Sequence, residues 1–478
     1  MATAPRATPF SRHLANRFGY GWTPALQRQV DRAGGPARWF EQQLTGVGVS
    51  DAFHDTSRGW WPSLTLSGPQ IWARHQAGVQ EYWRATSDYQ RWVLARRIHS
   101  ERQVLEAMTD FWENHLHVPA VGEAQAMYRA SYGAAIRAHA LGSFEDLLHA
   151  AITHPAMGCY LNNAVSTAKA PNEDLGRELL EVHTLGRGNH TEDDVKASAR
   201  ILTGWRVALW RDWTHGYDPA SHWVGPVRVA GFEHPNADPD GRAVTRAYLR
   251  HLAHHPATAR RIARRLALRF VSDDPSAALV EHLAQTYLQH GTEVKPVLRA
   301  LVAHPEFRRS AGRKVRTPEE DVVATYRVLG VRLARPTDDE SAANALLWQT
   351  GNIGLQPFAW PRPDGRPDVA EAWSSTARVL ASFDVHVALA GGWWPREQVS
   401  HRPARSWLPA RRVRFAGLVD HLSRSLLGRP ASPTLQRACR EVVGVGAREV
   451  VDASHGVVRW DMWRLLTTVL DSPAHMSR

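Results

Sequence analysis

Two cysteines in 478 residues, Cys159 and Cys439, are too few for a disulfide framework or a Cys-rich zinc module. Any metal would therefore be held by His, Asp and Glu. Lysine is almost as scarce: Lys169, Lys196, Lys295 and Lys314 are the only four, so 54 of the 58 basic residues are arginine. No stretch approaches the roughly 18 uninterrupted apolar residues of a membrane span. The first twenty residues, with Arg6, Phe10, His13 and Arg17 among them, lack the apolar run of a signal peptide, so the expectation is a cytoplasmic protein. There is no Gly-x-x-x-x-Gly-Lys phosphate loop, no strand-borne Gly-x-Gly-x-x-Gly and no Gly-x-Ser-x-Gly elbow, which counts against nucleotide enzymes and α/β-hydrolases.

What is present is an ordinary globular composition, 43% apolar and 22% charged, with 20 tryptophans and a formal net charge of +11. The positive charge has two readings, an arginine-biased genome or an anionic partner. Because charge bears on association and not on fold, it does not by itself call for nucleic acid, and none is expected.

Helical periodicity dominates, and no period-2 alternation is long enough to support a sheet. The expected fold class is all-α: an irregular multi-helix bundle of two packed lobes with long non-helical excursions. The expected divisions are an N-terminal lobe 1–205, an irregular Trp/His-rich region 206–243, a second lobe 244–390 carrying the Pro/Gly/Trp-rich segment 351–369, and a C-terminal helical extension 391–478. Thr23 before Pro24, Ser143 with Asp146, and Thr191 with Asp194 read as helix N-caps. His154-Pro155 reads as a helix end.

In the helix 104–117, Val104, Leu105, Met108, Phe111 and Trp112 share one face with His115 in its middle, while Glu106, Asp110, Glu113 and His117 project from the other as solvent-facing residues should. A histidine at a core position either bonds a backbone carbonyl or serves as ligand or acid-base. The helix 172–185 carries a Glu173/Arg177/Glu181 ladder, with Glu178 and His183 flanking its apolar stripe. In the excursion 206–243, Asp212, His215, Asp218, His222 and His234 form a scattered set of potential metal ligands. The helix 257–271 holds Ile262, Leu266 and Phe270 together, with Arg260, Arg261, Arg264, Arg265 and Arg269 around the remaining circumference. Such a helix either meets phosphates, sulfates or lipid headgroups, or presents a solvated face. The tryptophans could stack on sugar rings, but core packing is their default role.

Several blocks together resemble a large bacterial family known as domain of unknown function 1800. They are Phe111-Trp112-Glu113-Asn114-His115; His154-Pro155-Ala156-Met157 with Tyr160-Leu161; Asn172-Glu173 and Arg177 through Gly186; Leu202-Thr203-Gly204-Trp205; His255-Pro256-Ala257-Thr258-Ala259-Arg260 with Phe270-Val271; His304-Pro305-Glu306-Phe307; and Gly354-Leu355-Gln356-Pro357. The resemblance implies a helical protein with no established activity. It also implies relatives that are often exported and encoded beside a sulfatase-like protein, pointing to envelope or polysaccharide work. This chain departs from that pattern in its leaderless start, and in having His222-Trp223 where the family tends to show His-Asp.

The leading expectation is an enzyme acting on an anionic or polysaccharide-related substrate. His115, Glu178 and His183 are its candidate catalytic or divalent-metal residues, and Arg177, Asn114 and Trp205 its candidate substrate contacts. The alternative is a non-catalytic scaffold that binds an anionic glycan or a partner protein through arginine and tryptophan surface.

Overall fold

A computed structural model describes residues 7–478. The reading of the first twenty residues rests in part on 1–6, which lie outside the described residues. The chain is all-α in class, with only short two-stranded ladders between helices. Among the described residues no helix is long and apolar enough to cross a membrane.

Local chemistry sets the helix starts. Thr23 Oγ1 accepts from the Leu26 N–H at 3.0 Å, Ser143 Oγ from Asp146 N–H at 3.2 Å, and Thr191 and Asp194 close a reciprocal capping box. The helix Phe144–Ile152 ends just before His154-Pro155, as expected, and His154 also starts the next one. Its Nδ1 accepts from the Ala156 N–H at 3.2 Å, and His255 and His304 repeat the arrangement toward Ala257 and Glu306 at 3.1 and 3.3 Å. The proline after each histidine occupies the first helical position, where its missing N–H costs nothing.

The buried apolar residues form a contiguous cluster that runs from Leu14 to Leu470. Helix α1 (Pro9–Phe18) enters it by stacking Phe18 on Phe270 at 4.4 Å. Helices α2 (Trp83–His99) and α3 (Gln103–His115) follow, and α3 is buried on every side. Helix α4 (Asp174–Glu178) runs directly into a π-helical turn, Leu179–His183, where one continuous helix was expected.

The excursion 206–243 contains two antiparallel hairpins. One pairs β1 (Trp205–Val207) with β2 (His215–Tyr217), and the other pairs β3 (Val227–Val229) with β4 (Phe232–His234). Three-residue strands are too short to register as alternation, which is why they escaped the pattern reading. Helix α5 (Pro256–Phe270) carries the arginine run. Beyond it lie α6 (Pro318–Leu329), α7 (Ala342–Ile353), α8 (Thr376–Gly391) and α9 (Met462–Leu470).

The second excursion is a loop pinned to α3 and its neighbours. Gln90 Nε2 donates to Pro357 O at 2.6 Å, Ala120 N to Phe358 O at 2.7 Å, and Tyr160 OH to Pro361 O at 2.9 Å. Asn114 grips its far end, with Oδ1 accepting from Arg366 N at 2.7 Å and Nδ2 donating to Arg366 O at 3.0 Å. Gly365 makes this approach feasible: its φ is +71°, and a Cβ there would lie 2.0 Å from the Asn114 carbonyl oxygen.

Candidate functional site

The polar face of α3 does not meet water. Glu106, Asp110, Glu113 and His117 are all at most 2% exposed, which corrects the expectation of a solvated face. Arginines from elsewhere in the chain cover it. Asp110 accepts from Arg97 at 2.7 Å, Arg269 at 2.6 Å and Arg366 at 2.7 Å. Arg97 also pairs with Glu319, while Arg269 reaches Glu320 at 2.9 Å and Asp368 at 3.2 Å. Arg478 completes the set on Glu320 at 3.1 Å.

Burial would raise the Asp110 carboxyl, but Arg366, Arg97 and Arg269 outweigh it and hold the pKa below the usual carboxylate range. The Glu320 carboxyl responds in the same way, opposed by burial but brought down to about 2 by Arg269 and Arg478. Arg269, expected on the polar circumference of its helix, is therefore a core residue.

On the other side of α3, His115 and His183 are sealed in the interior, 1% and 0% exposed. His115 Nε2 lies 3.0 Å from His183 O, and His183 Nδ1 lies 2.9 Å from His115 O. Each ring thus bonds the other's main chain. Burial holds both imidazoles neutral, that of His183 down to about 3. Val182 O and His183 O lie in the last turn of this π segment, where helix carbonyls have no intrahelical partner, and Thr184 Oγ1 closes back on Leu179 O at 2.6 Å.

Glu178 is not part of the pair. It is half-buried, and burial followed by the Glu181 carboxylate raises its pKa, with Asp364 adding to the effect. Arg177 is engaged by Glu192 at 2.7 Å, Glu173 at 3.2 Å and Glu181 at 3.8 Å. Asn114 is spent on the Arg366 backbone, as described above. Trp205 sits on β1 against Tyr217, ring centroids 5.1 Å apart. Of the six candidates, His115 and His183 are brought together from different helices, each ring bonding the other's main chain.

In front of the histidine pair, α5, the turn after His183 and the loop 361–367 enclose a cleft of about 610 Å³. Arg187, Arg260, Arg261, Arg264, Arg265 and Arg362 line it, with Asp364 as its one acidic wall residue. Three of these arginines have partners: Arg187 on Glu181, Arg260 on Glu281 and Arg362 on Asp364. Arg261, Arg264 and Arg265 have no carboxylate within 4 Å among the described residues. Arg261 donates through Nε to Val182 O at 2.6 Å, which directs its guanidinium along the cleft wall. Burial, then the charges of Arg265 and Arg187, lower the Arg261 pKa to about 10. Burial lowers that of Arg265 as well. Crowded, partly desolvated guanidinium groups of one sign are relieved by an oxyanion, whose oxygens match their fork of donors.

The family described as "Protein of unknown function (DUF1800)" matches residues 13–477. The chain belongs to the DUF1800 family. No curated protein and no solved structure matches it.

In this DUF1800 chain the histidines and aspartates of the excursion 206–243 serve local structure. Asp212 and Asp218 accept from backbone N–H groups two residues on, at Thr214 and Ala220. The ring of His222 is buried between Thr203 O at 3.1 Å and Asn236 Oδ1 at 3.0 Å. Neither these residues nor His115, Glu178 and His183 converge as metal ligands. Among the described residues the group that does is Asp321, His386 and His475, with one ligand atom from each lying within 4.8 Å of the others. Sequence reasoning missed this trio and also the cleft residues Arg187, Arg362 and Asp364. The trio comes from three segments far apart in the chain, and Arg187 and the Arg362–Asp364 loop reach the arginine helix from two others, with no local spacing to betray either set.

Proposed function

We propose that this protein binds an oxyanion-bearing ligand, of the sulfate, phosphate or polyanionic glycan class, in the arginine cleft of α5. The observation that carries the reading is the set Arg261, Arg264 and Arg265: three guanidinium groups lining one cleft without a carboxylate partner. In this reading His115 and His183 are positioning residues. They fix the π turn whose Val182 carbonyl holds Arg261, and they do so from the interior. Isothermal titration with inorganic sulfate and with a sulfated polysaccharide tests the proposal. Arg261→Ala combined with Arg264→Ala is expected to weaken binding at least tenfold and to flatten its salt dependence. Binding unchanged by that pair would overturn it.

A catalytic version is favoured by one observation, the half-buried Glu178 carboxyl, whose pKa is raised by burial, then by Glu181, with the cleft residue Asp364 adding to the effect. A carboxyl with a raised pKa is the kind of group that can act as a general acid toward a leaving oxygen. Turnover of a sulfated or phosphorylated substrate that disappears in Glu178→Gln while anion affinity persists supports this version. Binding without turnover leaves the protein as a scaffold.

A further inference from the structure

Helix α6, helix α8 and the C-terminal turn Pro473–Met476 meet in the interior, remote in sequence from the residues of the arginine cleft, and there they bring Asp321, His386 and His475 together. Asp321 and His386 are fully buried and His475 nearly so. Asp321 and His386 are each oriented by partners outside the cluster. Asp321 Oδ2 accepts from Ser382 Oγ at 2.7 Å and from Arg378 at 3.0 Å, which turns Oδ1 toward the two imidazoles. His386 Nδ1 faces Asp471 Oδ1 at 2.8 Å, so its Nε2 points inward. His475 Nε2 lies 3.0 Å from Thr325 Oγ1.

The inward atoms, all within 4.8 Å of one another, are near enough to close on one ion. Metal bonds of about 2.0–2.1 Å to nitrogen and oxygen set tetrahedral ligand atoms roughly 3.3 Å apart. The His386 Nε2 to Asp321 Oδ1 distance is 3.2 Å, and that from His475 Nε2 to the same oxygen is 4.0 Å. A carboxylate on the remote nitrogen of a ligating histidine is the usual outer-shell support of such a site, and Asp471 supplies it. A buried ion pair accounts for His386 between Asp321 and Asp471; what it does not require is His475, whose Nε2 bonds Thr325 Oγ1 at 3.0 Å and lies 4.0 Å from the same Asp321 oxygen.

We propose that Asp321, His386 and His475 hold a divalent transition-metal ion of the zinc class, with a fourth position left to solvent or to a neighbouring oxygen. Two imidazoles and one carboxylate without thiolate suit Zn²⁺, Fe²⁺ or Co²⁺ and disfavour Ca²⁺ and Mg²⁺. Because the ligands join α6 and α8 to the C-terminal turn, the ion would act as a structural staple, binding the folded chain and not the unfolded one.

The test uses the full-length protein, stripped with chelator and titrated with Zn²⁺ or Co²⁺. One equivalent per chain is expected, with a rise in thermal midpoint and, for cobalt, the visible absorption of a four-coordinate ion. His475→Gln is expected to abolish that binding. Asp471→Asn keeps all three ligands and changes a side chain that is 25% exposed, so it decides the matter if the ligand variant fails to fold. It is expected to weaken affinity 10- to 100-fold. A folded, stripped protein that takes up no equivalent at micromolar metal, or uptake equal in wild type and Asp471→Asn, would overturn the assignment.

Discussion

Arg261 donates to the carbonyl oxygen of Val182 at 2.6 Å. That carbonyl is one residue before His183, whose own carbonyl receives the ring of His115 at 3.0 Å. The arginine cleft and the buried histidine pair are therefore two sides of one π turn, and what disturbs the pair is felt by the cleft.

Removing either ring should show this coupling. His183→Ala deletes one ring-to-carbonyl bond and leaves a void, at an expected cost of about 2–4 kcal/mol. The same change at His115 should cost a similar amount. In a double-mutant cycle followed by urea unfolding, the two losses should fall short of additivity by about 0.5–3 kcal/mol, because the rings brace the same two backbone segments.

The ionic centre on the other side of α3 predicts a different result. Asp110→Asn leaves Arg97, Arg269 and Arg366 without their shared charge in a dry site. The expected loss is about 3–5 kcal/mol in chemical denaturation. Asp240→Asn removes a carboxylate that pairs with Arg242 at the surface, and it should leave the unfolding midpoint unchanged.

Acid should destabilise the fold from neutral pH downward, before the carboxylates titrate. Burial depresses His13 and His154 to about 3 and His117 to about 4, against an ordinary value near 6.5. Below about pH 6.5 the unfolded chain therefore takes up protons that the folded chain refuses, and stability falls as pH drops from about 6.5 toward 4. His154 adds a local reason, because protonating its Nδ1 would remove the cap on the Ala156 N–H. Thermal midpoints from pH 8 to pH 4 should decline across that window. A flat profile down to pH 5 would contradict the assignment of neutral buried imidazoles.

Gly365→Ala should act on the cleft from the loop side. A Cβ at this position collides with the Asn114 carbonyl, and the loop that carries Arg362 and Asp364 must shift. Weaker anion binding together with a lowered thermal midpoint is the expected pair of effects.

Much of the helical order was readable because caps and breaks are local chemistry: Thr23, Ser143 and Thr191 announce their helices unaided. The arginine run of α5 was equally plain, and so was the central place of His115. What lay beyond reach depended on partners distant in the chain. Glu106, Asp110 and Glu113 occupy the polar half of a helical projection, and only arginines arriving from elsewhere, Arg96 and Arg137 on Glu106, Arg97, Arg269 and Arg366 on Asp110 and Arg129 on Glu113, make that half an interior. The π turn at 179–183 leaves no mark in a 3.6-residue pattern, since its apolar positions still fit a helix. Asp321, His386 and His475 belong to three segments that meet only in the folded chain, so they share no spacing that a motif could capture.

The claim on which the account rests is that Arg261, Arg264 and Arg265 receive an anion, and crystals grown with selenate test it most directly. An anomalous selenium peak within hydrogen-bond distance of at least two of these guanidinium groups, absent in the Arg261→Ala, Arg264→Ala protein, is the predicted result. Well-ordered arginines with no selenium between them, at selenate concentrations that label other basic surfaces of the same molecule, would contradict it.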